Sequence, residues 1–91
     1  MARYQGRVSG PESLGRFLQQ ARVLSGLTQR DMAELLGTSQ RYVWEMEAGK
    51  PSIFTERLFA MMRASGMSLS ASIEPVSHDQ AETDDGGGDR G

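Results

Sequence analysis

The 91-residue sequence contains no cysteine, so neither disulfide bridges nor thiolate metal sites can hold the chain together. It has one histidine, one tryptophan and three prolines. The histidine, His78, sits in a polar C-terminal stretch, where a metal or catalytic role is not expected. No run approaches the roughly 20 apolar residues that a membrane-spanning helix needs. Met1 to Pro11 contains arginines but no apolar segment of the signal-peptide kind, so a soluble, cytoplasmic protein is expected. No Ser/His/Asp or paired-carboxylate arrangement is recognisable, and the chain is expected to be neither an enzyme nor a cofactor binder.

What is present is unevenly charged. Residues 1–75 hold nine Lys/Arg against seven acids, a net +2, whereas residues 76–91 hold one arginine against five acids, a net −4. The overall charge of −2 therefore conceals a mildly basic body with an acidic tail. Ninety-one residues suffice for one small domain with a modest core. Four segments are expected: a loose N-terminal arm over 1–11, a helical domain over 12–66, a strand over 67–75, and a disordered acidic tail over 76–91.

Within the helical segment, apolar residues recur at three- and four-residue spacing. Leu14, Phe17, Leu18, Ala21 and Leu24 draw a stripe along a first helix, closed by Gly26. Thr28, with Asp31 three residues on, suits the N-terminus of a second helix, whose buried side is read as Met32, Ala33, Leu35 and Leu36. Gly37 ends it, and Thr38 or Ser39 caps a third helix over Gln40 to Ala48, closed by Gly49. After Pro51, Ser52 or Thr55 opens a fourth helix, with Leu58, Phe59, Met61 and Met62 read as inward. The period then changes to two: Met67, Leu69, Ala71 and Ile73 alternate with serines and Glu74 until Pro75. A lone strand would expose an unpaired edge. These four apolar residues are therefore expected to form a dimer interface with the same strand of a second copy, the alternative being a strand folded against its own fourth helix.

The second and third helices form the pattern that carries chemistry. Ala33 is small enough for two short helices to cross at a steep angle, and Gly37 supplies the tight turn. Val43 and Met46 turn inward, which sends Gln40, Arg41, Tyr42, Trp44 and Glu45 outward. Gln can pair bidentately with adenine, Arg with guanine, and an aromatic edge can meet a thymine methyl. Tryptophan usually packs in a core, yet Trp44 lies about 100° round from Val43 and is expected to be partly exposed. Tyr42 suits base contact and helix packing equally. Gln29, Ser52 and Thr55, at helix N-termini, stand where backbone N–H groups meet phosphates, and Ser39 and Lys50 complete the expected DNA-binding set. The methionines are expected to fill core gaps.

The run GLTQRDMAELLGTSQRYVWEMEAGKPS resembles the Cro/repressor class of helix-turn-helix proteins, and within it the HipB-like antitoxins, over about residues 12–75. The class pattern RxxxGLTQxxLAxxLGxSQxxVSxxExGK is met at Arg22, Gly26, Leu27, Thr28, Gln29, Ala33, Leu36, Gly37, Ser39, Gln40, Val43, Glu47, Gly49 and Lys50. Trp44 departs from it, standing where the class often has serine. The resemblance implies an all-α, four- to five-helix, lambda-repressor-like DNA-binding domain with a C-terminal strand for intermolecular dimerisation. It implies a structural ion pair between Arg22 and Glu47, and palindromic double-stranded operator DNA bound by a homodimer. It also implies a HipA-like kinase toxin as protein partner and a nucleoid-associated location in a bacterial cytoplasm. A stand-alone regulator without a toxin, and a helix-turn-helix adaptor for protein interaction, remain alternatives.

Overall fold

The computed structural model describes residues 4–76. The expected tail and His78 lie outside the described residues, apart from Val76. The chain is mostly helical with a small two-stranded sheet. In order it runs β1 (Tyr4–Val8), α1 (Pro11–Leu24), α2 (Gln29–Leu36), α3 (Gln40–Ala48), α4 (Ile53–Ala64) and β2 (Leu69–Ile73). No helix among the described residues is long and apolar enough to cross a membrane.

Local chemistry sets the helix ends. Thr28 Oγ1 accepts the Asp31 backbone N–H at 3.0 Å, and Asp31 Oδ2 accepts the Thr28 N–H at 2.9 Å, a reciprocal capping box. Ser39 caps α3 by accepting the Tyr42 N–H at 3.0 Å, and Ser52 caps α4 by accepting the Thr55 N–H at 3.1 Å. Gly37 turns α2 into α3 at φ +70°, a left-handed conformation in which a side chain would be strained. Gly15 has a different task. A Cβ there would lie 2.3 Å from the Glu47 carbonyl oxygen, so α1 can approach the end of α3 this closely only without one.

The first correction concerns the N-terminus. Where a loose arm was expected, Tyr4–Val8 is a strand antiparallel to β2, in the register Tyr4↔Ile73, Gly6↔Ala71 and Val8↔Leu69. Val8, Phe59 and Met62 form a buried cluster, against which Leu14, Phe17, Leu69 and Ala71 pack. The four residues of the expected dimer interface take different places within the chain. Leu69 and Ala71 cover the chain's own core, Ile73 is buried, and Met67 precedes the strand and is exposed. β1 pairs one edge of β2, so β2 is not a lone strand within the chain.

The second correction concerns helix faces. On α4, Phe59 and Met62 are buried, but Leu58 and Met61 are not. On α2 only Ala33 is buried, while Leu35 and Leu36 are exposed. Apolar spacing marks a side of a helix, but how much of that side is covered depends on the neighbours. The eight-residue α2 packs mainly on α3.

Candidate nucleic-acid interface

The helix pair α2–α3 is anchored from α1 by a buried ion pair. The Arg22 and Glu47 side chains retain only 10% and 7% of their exposure. The guanidinium engages both carboxylate oxygens, Nε donating to Oε2 and Nη2 to Oε1, the latter at 3.0 Å. Its Nη1 donates to the Leu27 carbonyl at 2.9 Å, tying the turn before α2 into the same junction. The hydrogen bond to Glu47 raises the Arg22 pKa above its ordinary value, against the opposing effect of burial. Burial pushes Glu47 upward, but hydrogen bonds from Arg22 and Gln29 and the nearby positive charge hold it below the usual carboxylate value.

Gln29 joins this network, its Nε2 donating to Glu47 Oε1 at 3.1 Å. The amide that was expected to face phosphate is thus half-buried and held in a fixed orientation. Along α3, Gln40, Arg41, Tyr42 and Trp44 are all exposed, Trp44 at 55%. Tyr42 and Trp44 are therefore solvent-facing rather than core residues.

The expected DNA-binding residues fall into two neighbouring groups. Gln29, Gln40, Arg41 and Trp44 line one shallow hollow beside the start of α3. Tyr42, Glu45, Lys50, Ser52 and Thr55 line a second groove, floored by Leu14, Leu18 and Met46. Ser39 belongs to neither, because its hydroxyl caps α3. Glu45 lies between the groups and holds two cations: Lys50 Nζ donates to its Oε2 at 3.0 Å and Arg41 Nε at 3.3 Å. The bond from Lys50, and then that from Arg41, lower the Glu45 pKa, so this carboxylate stays charged beside the cations expected to meet DNA. The Ser52 and Thr55 hydroxyls share a 2.8 Å hydrogen bond at the start of α4.

Sequence reasoning passed over Arg30, which is exposed in the first turn of α2. Its signal was available: a basic residue at a helix N-terminus, where the dipole gives it no reason to be. The described residues contain no group of three or more His, Asp or Glu side chains placed to hold a metal ion.

Two short helices at a glycine turn, with the second presenting Gln, Arg and Trp to solvent and a buried ion pair behind them, form a surface suited to base edges. Comparison with known proteins finds no curated protein and no solved structure that matches. A family described as a helix-turn-helix domain matches residues 13–71, which takes in every helical residue from the first turn of α1 and most of β2. The chain belongs to this family of helix-turn-helix domains.

Proposed function

We propose that the protein is a transcriptional repressor that inserts α3 into the DNA major groove and reads a near-palindromic operator as a dimer. Membership of a helix-turn-helix family supports a DNA-binding regulator. The observation that carries the finer reading is the hollow lined by exposed Gln40, Arg41 and Trp44 and by half-buried Gln29, whose amide is oriented by the buried Glu47. A binding-site selection on random duplex DNA is the test, and it should yield half-sites about one helical turn, roughly 34 Å, apart or a multiple of that. Gln40→Ala and Arg41→Ala should each relax the preference at particular bases by about 1–3 kcal/mol. Lys50→Ala should weaken all sequences alike and reduce the salt slope by about one. Selection of no preferred duplex, or of sites indifferent to Gln40 and Arg41, overturns the reading.

The resemblance of the α2–α3 segment supports a more specific role, as the antitoxin of a HipA-like kinase toxin. The observation bearing on it is sequence alone, the fourteen matched positions from Arg22 to Lys50. Co-purification with the product of the adjacent gene tests it. A neighbouring gene without a kinase-like product leaves the stand-alone repressor.

A further inference from the structure

We propose that Glu45 sets the selectivity of the α3 surface, holding Arg41 for a single guanine and opposing, by its charge, attachment to DNA through phosphate contacts alone. This rests on the DNA-reading function proposed above and assigns the positioning residue that governs its specificity. The Glu45 side chain keeps 20% of its exposure, against 82% for Arg41 and 60% for Lys50, so the carboxylate sits beneath two outward cations. One oxygen, Oε2, accepts from both. The Lys50 partnership is built into the chain. At the turn that closes α3, the Lys50 backbone N–H donates to the Glu45 carbonyl at 3.0 Å, which returns the lysine to the residue that its side chain also engages.

Helix stability does not account for this arrangement. Arg41 stands in the first turn of α3 and Glu45 in the last, each at the end where the helix dipole disfavours its charge. Their i,i+4 order, cation first, is the weaker of the two possible orders. Exposed pairs of this kind contribute little to folding. The consequence lies instead in which atoms of Arg41 are left to meet DNA. Among the described residues the guanidinium is engaged through Nε alone. Its two terminal nitrogens remain, and they form the planar fork that donates bidentately to guanine O6 and N7. A guanidinium held at Nε has less freedom to lose on meeting that base than an untethered one. The charge acts against other contacts. A phosphate oxygen about 2.8 Å from Lys50 Nζ would lie within roughly 6 Å of Glu45 Oε2, which is itself 3.0 Å from that nitrogen. Repulsion over that distance survives physiological screening, whose length is about 8 Å. Phosphate contacts made without a base contact are therefore formed against the carboxylate, whereas a guanine on Arg41 offsets it.

The test compares the full chain with its Glu45→Ala and Glu45→Gln variants on two probes: the duplex chosen by the binding-site selection, and a random-sequence duplex of the same length. Both variants should bind the random duplex several-fold more tightly at low salt, and the gain should shrink as salt rises. Glu45→Ala should also lower the preference for guanine, at the position that responds to Arg41→Ala, by about tenfold. Glu45→Gln, whose amide oxygen can still accept from Arg41 Nε, should restore most of that preference without restoring the charge. In an Arg41→Ala background, Glu45→Ala should change no base preference further, a coupling that a merely structural role would not produce. Circular dichroism and melting temperature should match the wild type in both variants. Should the alanine variant fail to fold, the glutamine variant still has to raise random-duplex binding. Random-duplex affinity within twofold of wild type in Glu45→Gln, or guanine preference within twofold in Glu45→Ala, overturns the proposal. If the wild type nevertheless selects a duplex through Arg41, the DNA-reading function stands. A wild type that selects no duplex overturns both.

Discussion

The two halves of this molecule are held by different means. The α2–α3 half has two buried apolar residues, Ala33 and Val43, and otherwise relies on polar fastenings: the Thr28–Asp31 box, the Ser39 cap and the Arg22–Glu47–Gln29 junction. The half made of β1, α4 and β2 relies on apolar burial around Val8, Phe59 and Met62. Directional bonds fix side-chain orientation as well as fold, and the half expected to read DNA is the one that needs oriented side chains. Apolar burial fixes which faces are hidden and tolerates some sliding. The contrast suggests that the first half should fail sharply when one polar partner is removed, and the second in proportion to the volume lost.

The largest effect should come from splitting the ion pair. Glu47→Ala strands the Arg22 guanidinium in a site with 10% of its exposure, which should cost about 3–5 kcal/mol, as for other buried pairs broken on one side. Urea unfolding at neutral pH measures this, and a loss under about 1 kcal/mol would show that the junction is not what anchors α2–α3. The pH dependence has a definite sign. Because the folded Glu47 pKa is lowered, its contribution is complete above the unfolded glutamate value of about 4.3 and disappears as pH falls through the lower folded value. Glu47→Gln should flatten that acid limb of the stability curve. Phe59→Ala, on the other side of the comparison, should cost about 3–5 kcal/mol with no such pH signature.

This division also explains what could be read from the sequence. The ends of α2 and α3 were legible because their determinants are local: Thr28, Gly37, Ser39 and Gly49 each act within a few residues. The Arg22–Glu47 pairing came from resemblance, since charges 25 residues apart have no local signature. β1 was not legible. Its alternation is short and interrupted by Gly6, and its partner lies at the far end of the chain, Tyr4 against Ile73. The exposed Leu58 and Met61 were misplaced for a related reason. A helical stripe marks an amphipathic side, but which flank is covered depends on how β2 folds back, a tertiary fact. The solvent-facing residues of α3 were legible as a set because Val43 defines the opposite side, whereas the tie between Gln29 and Glu47 required coordinates.

A smaller effect should come from the α2 cap. Thr28→Ala removes the acceptor for the Asp31 N–H and frees one side of a two-way box, at a cost of about 1 kcal/mol. Hydrogen bonds from Thr28, the backbone N–H first, lower the Asp31 pKa. The box therefore contributes above the unfolded aspartate value of about 3.9 and is lost as pH falls through the lower folded value. Carbon-detected titration of Asp31 should show its pKa returning toward the ordinary value in the Thr28→Ala protein. An unchanged titration would mean that the backbone bond alone sets it.

The smallest expected effect concerns the acidic C-terminal residues, and here the structure adds a location to a charge argument. The Val76 N–H donates to Ser25 Oγ at 3.1 Å, so the described chain ends beside the α1–α2 turn, three residues before the cap of α2. Residues 77–91 carry five acids and one arginine, a net −4, and they follow directly on the Val76–Ser25 contact. At about 3.3–3.6 Å per residue, fifteen residues are long enough for that charge to reach the start of α3. It would compete there with phosphate for Arg30 and Arg41. Screening over about 8 Å at physiological salt keeps the competition weak. Removal of residues 77–91 should leave the melting temperature unchanged and strengthen operator binding at low salt by a few-fold. The gain should vanish as salt is raised, because both competitors are screened alike. A truncated protein with weaker operator binding would mean that the tail assists DNA contact. One with a lowered melting temperature would mean that residues beyond Val76 contribute to the fold.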